Sequence, residues 1–189
     1  MIRAKAISAD VYVADEPIVK VGRSAVQFLK ERVLESGRKR VRLCAHKDIA
    51  DRLQEMIIVF GKSSYIRPSR HIGKEESVHI IEGVAEFVFL DGDGRVTDAI
   101  PLGAFNSGRE FYCRTPESVY HTLIIRSDIF VVQETTQGPF RRSDTTFAPW
   151  APEDTDAMAV RRYMAQLTGA VDEFLRLKTQ GIQANPNAR

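Results

Sequence analysis

The sequence predicts an all-β core, a double-sheet jelly-roll barrel, with a helix on each side of it in the chain. Three observations carry this. Short runs rich in β-branched and aromatic residues follow one another from Val41 to Glu134, with turn signals between them every several residues. Apolar residues recur at helical spacing in two flanking segments, near 24–36 and 155–178. Histidines and a glutamate sit at strand ends in the middle of the chain, where a barrel mouth would gather them. The expected organisation is a strand and helix in 1–40, the barrel in 41–150, an amphipathic helix in 151–180 and a disordered tail in 181–189.

Taken in order, Val11-Tyr12-Val13 alternates as an edge strand would. Ser24 followed by Gln27 has capping-box spacing, and Val26, Leu29, Val33 and Leu34 then follow a helical period up to Gly37. Arg38-Lys39-Arg40-Val41-Arg42 reads as a solvated strand edge, its alternative use being bidentate contact with a sugar phosphate or carboxylate. Leu53 to Phe60 is β-branched and ends in the Gly61-Lys62-Ser63-Ser64 turn, so a strand is favoured over a helix. Tyr65 to Arg67 should begin another strand, stopped by Pro68.

Val78 to Leu90 is a β-rich stretch bent at Gly83, and Asp91-Gly92-Asp93-Gly94 is a hairpin signal. That loop is too short for an EF-hand and lacks the terminal Glu. Further strands are expected at Val96 to Leu102, Glu110 to Arg114, Thr122 to Ile125 and Ile129 to Glu134. Beyond the Pro149 to Pro152 connector, Asp154-Thr155-Asp156 supplies cap residues. Val160, Met164, Leu167, Val171, Phe174 and Leu175 then form an apolar stripe interrupted by Gly169. A stripe of that length needs a partner, either the barrel or a second copy of the chain in a homodimer.

Composition narrows the function classes. Among 189 residues, 43% are hydrophobic and 28% charged, as in an ordinary soluble globular chain. A net charge of +2 is too small to imply nucleic acid. Cys44 and Cys113 form no CxxC pair, no apolar run approaches a membrane span, and no secretory pattern opens the chain. The expected compartment is the cytoplasm and the expected partner a small molecule.

The chemistry-bearing residues are His71, Glu76 and His121. Two imidazoles and one carboxylate from separate strands make a facial triad that leaves metal positions open. A strand opened by Glu76 aims it the same way as Val78 and Ile80, with His79 on the other face. Glu134 shares parity with Phe130 and Val132, so it either points into the barrel as an acid or base or ends its strand in solvent. Tyr65 is a second candidate for proton handling. His46, Arg67, Tyr112 and Ser69 are candidates for lining the mouth and binding a ligand.

The run Ser69-Arg70-His71, then Glu76, then Gly83, with Pro116-Glu117-Ser118-Val119-Tyr120-His121 further on, resembles the two sequence motifs of the cupin superfamily. Ser118 stands where that pattern has Gly, and Ser69 where it has the first His. A narrower resemblance, over roughly 25–153, is to the WbuC family of cupin-fold metalloproteins. It is carried by Arg40-Val41-Arg42, His46, Gln54-Glu55-Met56, Tyr65-Ile66-Arg67-Pro68-Ser69-Arg70-His71, Asp91-Gly92-Asp93-Gly94-Arg95, Gly138-Pro139-Phe140 and Phe147-Ala148-Pro149-Trp150-Ala151-Pro152-Glu153. That family typically reads Pro-His-Arg-His where this chain reads Pro68-Ser69-Arg70-His71.

The resemblance implies a small β-barrel, often encoded with enzymes of surface-polysaccharide or O-antigen synthesis. It also implies a divalent transition metal, Fe, Zn, Mn or Ni, on His71, Glu76 and His121, weakened by Ser69. Three functions follow as alternatives: a metal-dependent enzyme on a sugar or sugar nucleotide, a non-catalytic small-molecule binder with a degraded metal site, and a metal-free sugar-nucleotide isomerase or epimerase.

Overall fold

The structure is a computed structural model in which residues 3–181 are described; the tail expected from 181 onward falls almost wholly outside them. Two sheets face each other. The first has seven strands in the order β1 (Ala4–Ser8), β2 (Val11–Ala14), β3 (Arg40–Cys44), β4 (Leu53–Gly61), β11 (Ile129–Gln137), β6 (Glu76–Glu82) and β9 (Tyr112–Thr115). The second has five, in the order β12 (Thr145–Phe147), β5 (Ser69–His71), β10 (Tyr120–Ile125), β7 (Val84–Leu90) and β8 (Val96–Gly103). Pairing is antiparallel except between β2 and β3. Helix α1 (Arg23–Glu35) covers the outside of the first sheet and α2 (Ala157–Thr179) the outside of the second.

Three apolar layers result. Between the sheets, Phe60, Phe87, Leu102, Ile125, Phe130 and Val132 are all nearly free of solvent. Outside the first sheet, Leu29 and Val33 of α1 pack on Val41, Leu43, Val59 and Val131. Outside the second, Leu167 and Val171 of α2 pack on Val88, Leu90, Ala99 and Ile124. Arg126 pairs with both Glu86 and Asp172, fastening α2 to its sheet. Asp156 caps α2, its side chain accepting the Ala159 N–H at 2.9 Å.

Gly83 separates β6 from β7 with φ +85°, and a Cβ there would lie 2.3 Å from the Ile129 carbonyl oxygen. Only glycine fits both the backbone and the space.

Four local expectations are corrected. The Ser24 capping box does not form; α1 starts after Gly22 with no side-chain cap. The strand near Val11 is not an edge, because β1 pairs outside it. Tyr65 to Pro68 is irregular, and the strand begins after Pro68, at Ser69. The basic run at 38–42 is not a solvated edge, since β3 lies between β2 and β4.

Candidate metal centre

Glu76 opens β6 in one sheet; His71 ends β5 and His121 sits near the start of β10 in the other. The triad therefore spans the seam between the sheets. Local pairing explains the convergence. His121 lies opposite Ser69 across the β5–β10 pair, and Thr145 opposite His71 across β5–β12. The turn before His121 is clipped to β5, the Ser118 N–H donating to the His71 carbonyl at 2.8 Å. Ser118 holds φ +65°, the left-handed conformation in which a glycine costs nothing and a serine does.

Glu76 Oε1 lies 2.7 Å from His121 Nε2, and Glu76 Oε2 lies 3.3 Å from His71 Nε2. One ligand atom from each of the three residues falls within 4.8 Å of the others. The outer ring nitrogens are engaged: His121 Nδ1–H donates to the Val119 carbonyl at 2.9 Å, and His71 Nδ1 meets Thr145 Oγ1 at 3.1 Å. That arrangement fixes both rings with Nε2 turned inward, as metal-binding histidines require. Burial pushes the Glu76 carboxyl upward, but the two imidazoles overcome it and hold it well below the usual carboxylate range. Burial works against a charged His121, yet the bond to Glu76 raises its pKa above the ordinary imidazole value. Glu76 and His121 thus face each other as hydrogen-bond partners at 2.7 Å, and a metal held there would take the place of the proton between them. Two nitrogens and one oxygen, pre-oriented and with Glu76 and His121 buried, fit a divalent transition metal.

The triad borders two cavities. The larger, of about 420 Å³, is lined by Tyr65, Arg67, Ser69, His71 and His121 among others. The smaller, of about 280 Å³, is lined by His46, Cys44 and Gln54. Glu76, His71 and Glu134 form part of both. Glu134, on β11 opposite Met56, points into the barrel, with its carboxyl open to the cavities but walled by protein. Burial and the nearby Glu76 charge push it up to about 7. Ser69 is buried, on the same face of β5 as His71.

The other expected mouth residues divide. Tyr65 donates its hydroxyl to the Pro152 carbonyl at 2.9 Å, and burial raises its pKa to about 12. His46 is tied to the Glu55 backbone at 3.0 Å and lines only the smaller cavity. Tyr112 lines neither; it stands half exposed on β9, paired with His79 on the outer face. Placing it at the mouth is corrected by that parity.

Sequence reasoning gave the arginines of β3 too little weight. Val41 and Leu43 pack under α1, so Arg40 and Arg42 face the larger cavity, as does Arg38 just before the strand. The period-two alternation was visible; which face was interior was not.

Fold and site together define a cupin-type barrel with a His–Glu–His cluster that could hold a metal ion. A family model described as a domain of unknown function, DUF6016, matches residues 21–102, less than half of the chain. No curated protein matches it. Solved structures similar in shape include protein SO0799 from Shewanella oneidensis, at 10% identity and a TM-score of 0.49, covering 67% of this chain and 83% of that one. KdgF from Halomonas sp. gives 12% and 0.43, covering 55% and 82%. Pac13, a nucleoside dehydratase from Streptomyces, gives 10% and 0.41, covering 58% and 81%. All lie below a TM-score of 0.5, so the class rests on the topology and the site.

Proposed function

We propose that the chain is a metal-dependent cupin enzyme acting on a sugar or sugar nucleotide in surface-polysaccharide synthesis. The observation that carries the metal is the convergence of His71, Glu76 and His121 across the sheet seam on one point. The polysaccharide setting rests on the resemblance to the WbuC family. His71, Glu76 and His121 would hold a divalent metal, which would supply Lewis-acid chemistry there. Glu134, poised near neutrality on the wall shared by both cavities, takes or returns the substrate proton. Tyr65 stays protonated and holds the Pro152 segment at the mouth. Arg67 and Ser69 line the space where the sugar binds.

Metal analysis by mass spectrometry of wild type and His121→Ala tests this reading. Near-stoichiometric metal in wild type after reconstitution, lost in the variant, supports it; negligible metal in reconstituted wild type rejects it. Ser69→His should supply a further imidazole and tighten metal binding in a chelator competition. If it binds no better while folded, position 69 does not serve the centre.

One observation favours a second reading. Glu76 and His121 already satisfy each other without an ion, as an acid–base pair of a metal-free isomerase or epimerase would. Turnover of a nucleotide-sugar panel in excess chelator would select it.

A further inference from the structure

We propose that the inward face of β3, with Arg40 and Arg42 as its centre and Arg38 and Arg67 beside them, anchors the phosphate of the ligand, so that the substrate is a phosphorylated or diphosphate-linked sugar rather than a neutral one. The inference rests on reading the larger cavity as a small-molecule site and adds the charge class of what enters it.

Five arginines line that cavity, with Arg142 on its exposed rim. Two have protein partners: Arg38 reaches Asp154 at 2.7 Å, and Arg67 Nη1 lies 3.6 Å from Glu153. Among the described residues Arg40 and Arg42 are in no ion pair, and the contact of the Arg42 guanidinium is the Met56 sulfur at 3.7 Å. The Arg67 Nε is also buried without a partner. Desolvation, reinforced by Arg38 and Arg42, lowers the Arg40 pKa to about 10. Two partly buried guanidinium groups thus face the cavity with no carboxylate in ion-pair contact among the described residues, an arrangement that an anion would complete.

The charge count favours phosphate. Asp154 and Glu153 offset Arg38 and Arg67, which leaves Arg40, Arg42 and Arg142 facing Glu134, whose carboxyl pKa burial pushes up to about 7. A dianion balances that surplus better than a single carboxylate. Residues two apart on a strand are separated by about 7 Å, so Arg40 and Arg42 suit the length of a diphosphate. Guanidinium groups bind such oxygens in bidentate fashion.

The test is calorimetric titration of the full chain, stripped of metal by chelator, with pyrophosphate, inorganic phosphate and malonate. Stripping removes metal–phosphate contact, so failure of the metal centre and failure of the anion site are read separately. Pyrophosphate should bind once per chain, more tightly than phosphate or malonate, and less tightly as salt rises. Arg40→Gln and Arg42→Gln should each weaken it by about tenfold or more, the loss expected for a charge-assisted hydrogen bond. Arg40→Lys should weaken it less. Arg161→Gln, on the exposed surface of α2, should change nothing. Arg40→Gln should also melt higher than wild type, which a merely structural arginine would not do. The proposal is overturned if pyrophosphate does not saturate at concentrations on the order of millimolar, if malonate binds as well, or if Arg161→Gln weakens binding as much as Arg40→Gln. Should Arg40→Gln fail to fold, Arg42→Gln and the rise in wild-type melting temperature with pyrophosphate decide the matter in the same directions.

Discussion

Each of three strands does opposite things at its two ends. On β6, Glu76 and Val78 line the larger cavity while Ile80 lies in the packed interior. On β10, His121 precedes Leu123 and Ile125; on β11, Phe130 and Val132 precede Glu134. One inward face is therefore shared by a packed end that stabilises the barrel and a polar end that carries the site. The difference teaches that inward parity specifies a location, while the chemistry of each position is set by whether water and ligand can reach it.

The largest effect should come from the packed end. Phe130 is fully buried, and Phe130→Ala should cost about 3–5 kcal/mol in a denaturant melt, with metal content per folded chain unchanged. A loss at the polar end of similar size would erase the contrast.

Next comes a gain. The folded-state pKa of Glu134 is raised from 4.5 to about 7. Below 4.5 both folded and unfolded chains carry the proton and nothing is lost. As pH rises through the window up to about 7, the unfolded chain ionises first and the folded state is penalised. In chelator-treated protein, Glu134→Gln should therefore be more stable than wild type above pH 7 by about 3 kcal/mol, with the difference closing near pH 4.5. A difference that stays constant with pH would show that the carboxyl is not desolvated.

The smallest effect sharpens the comparison within the polar end. Thr145→Val removes the hydroxyl that meets His71 Nδ1. Metal affinity should fall by about 10–100-fold in chelator competition, while the melting temperature of the ion-free protein barely moves.

Much of this was readable beforehand, for definite physical reasons. Strands at Leu53, Val78, Val96 and Ile129 carry β-branched residues and end at glycine or polar turns, so local chemistry marks them. Glu76 and Glu134 could be aimed inward because flanking apolar residues at even spacing can go nowhere else. Arg40 and Arg42 resisted that logic. One face of β3 lies under α1 and the other faces the larger cavity, and the apolar residues took the helix side. A basic alternation then looks the same whether it faces solvent or a cavity. Pro68 stands just ahead of the first residue of β5, and a proline marks the entry to a strand as readily as an exit. Ala4–Ser8 is mostly exposed and carries no alternation to announce it. Tyr112 was drawn toward the mouth by its chemistry, although its register with His79 puts it outside.

Glu76 belongs to one sheet and both of its histidine partners to the other, and this has a consequence for how the barrel breathes. The three side chains act as a clasp across the joint, in the way a cross-link would, but one that protons can open. Acid that protonates Glu76 releases the clasp from one side and base that neutralises His121 releases it from the other. Amide hydrogen exchange along β5, β6 and β10 should then slow together when the clasp is shut and quicken together when it is released, while β3 and β4 under α1 and β8 under α2 keep their own pace.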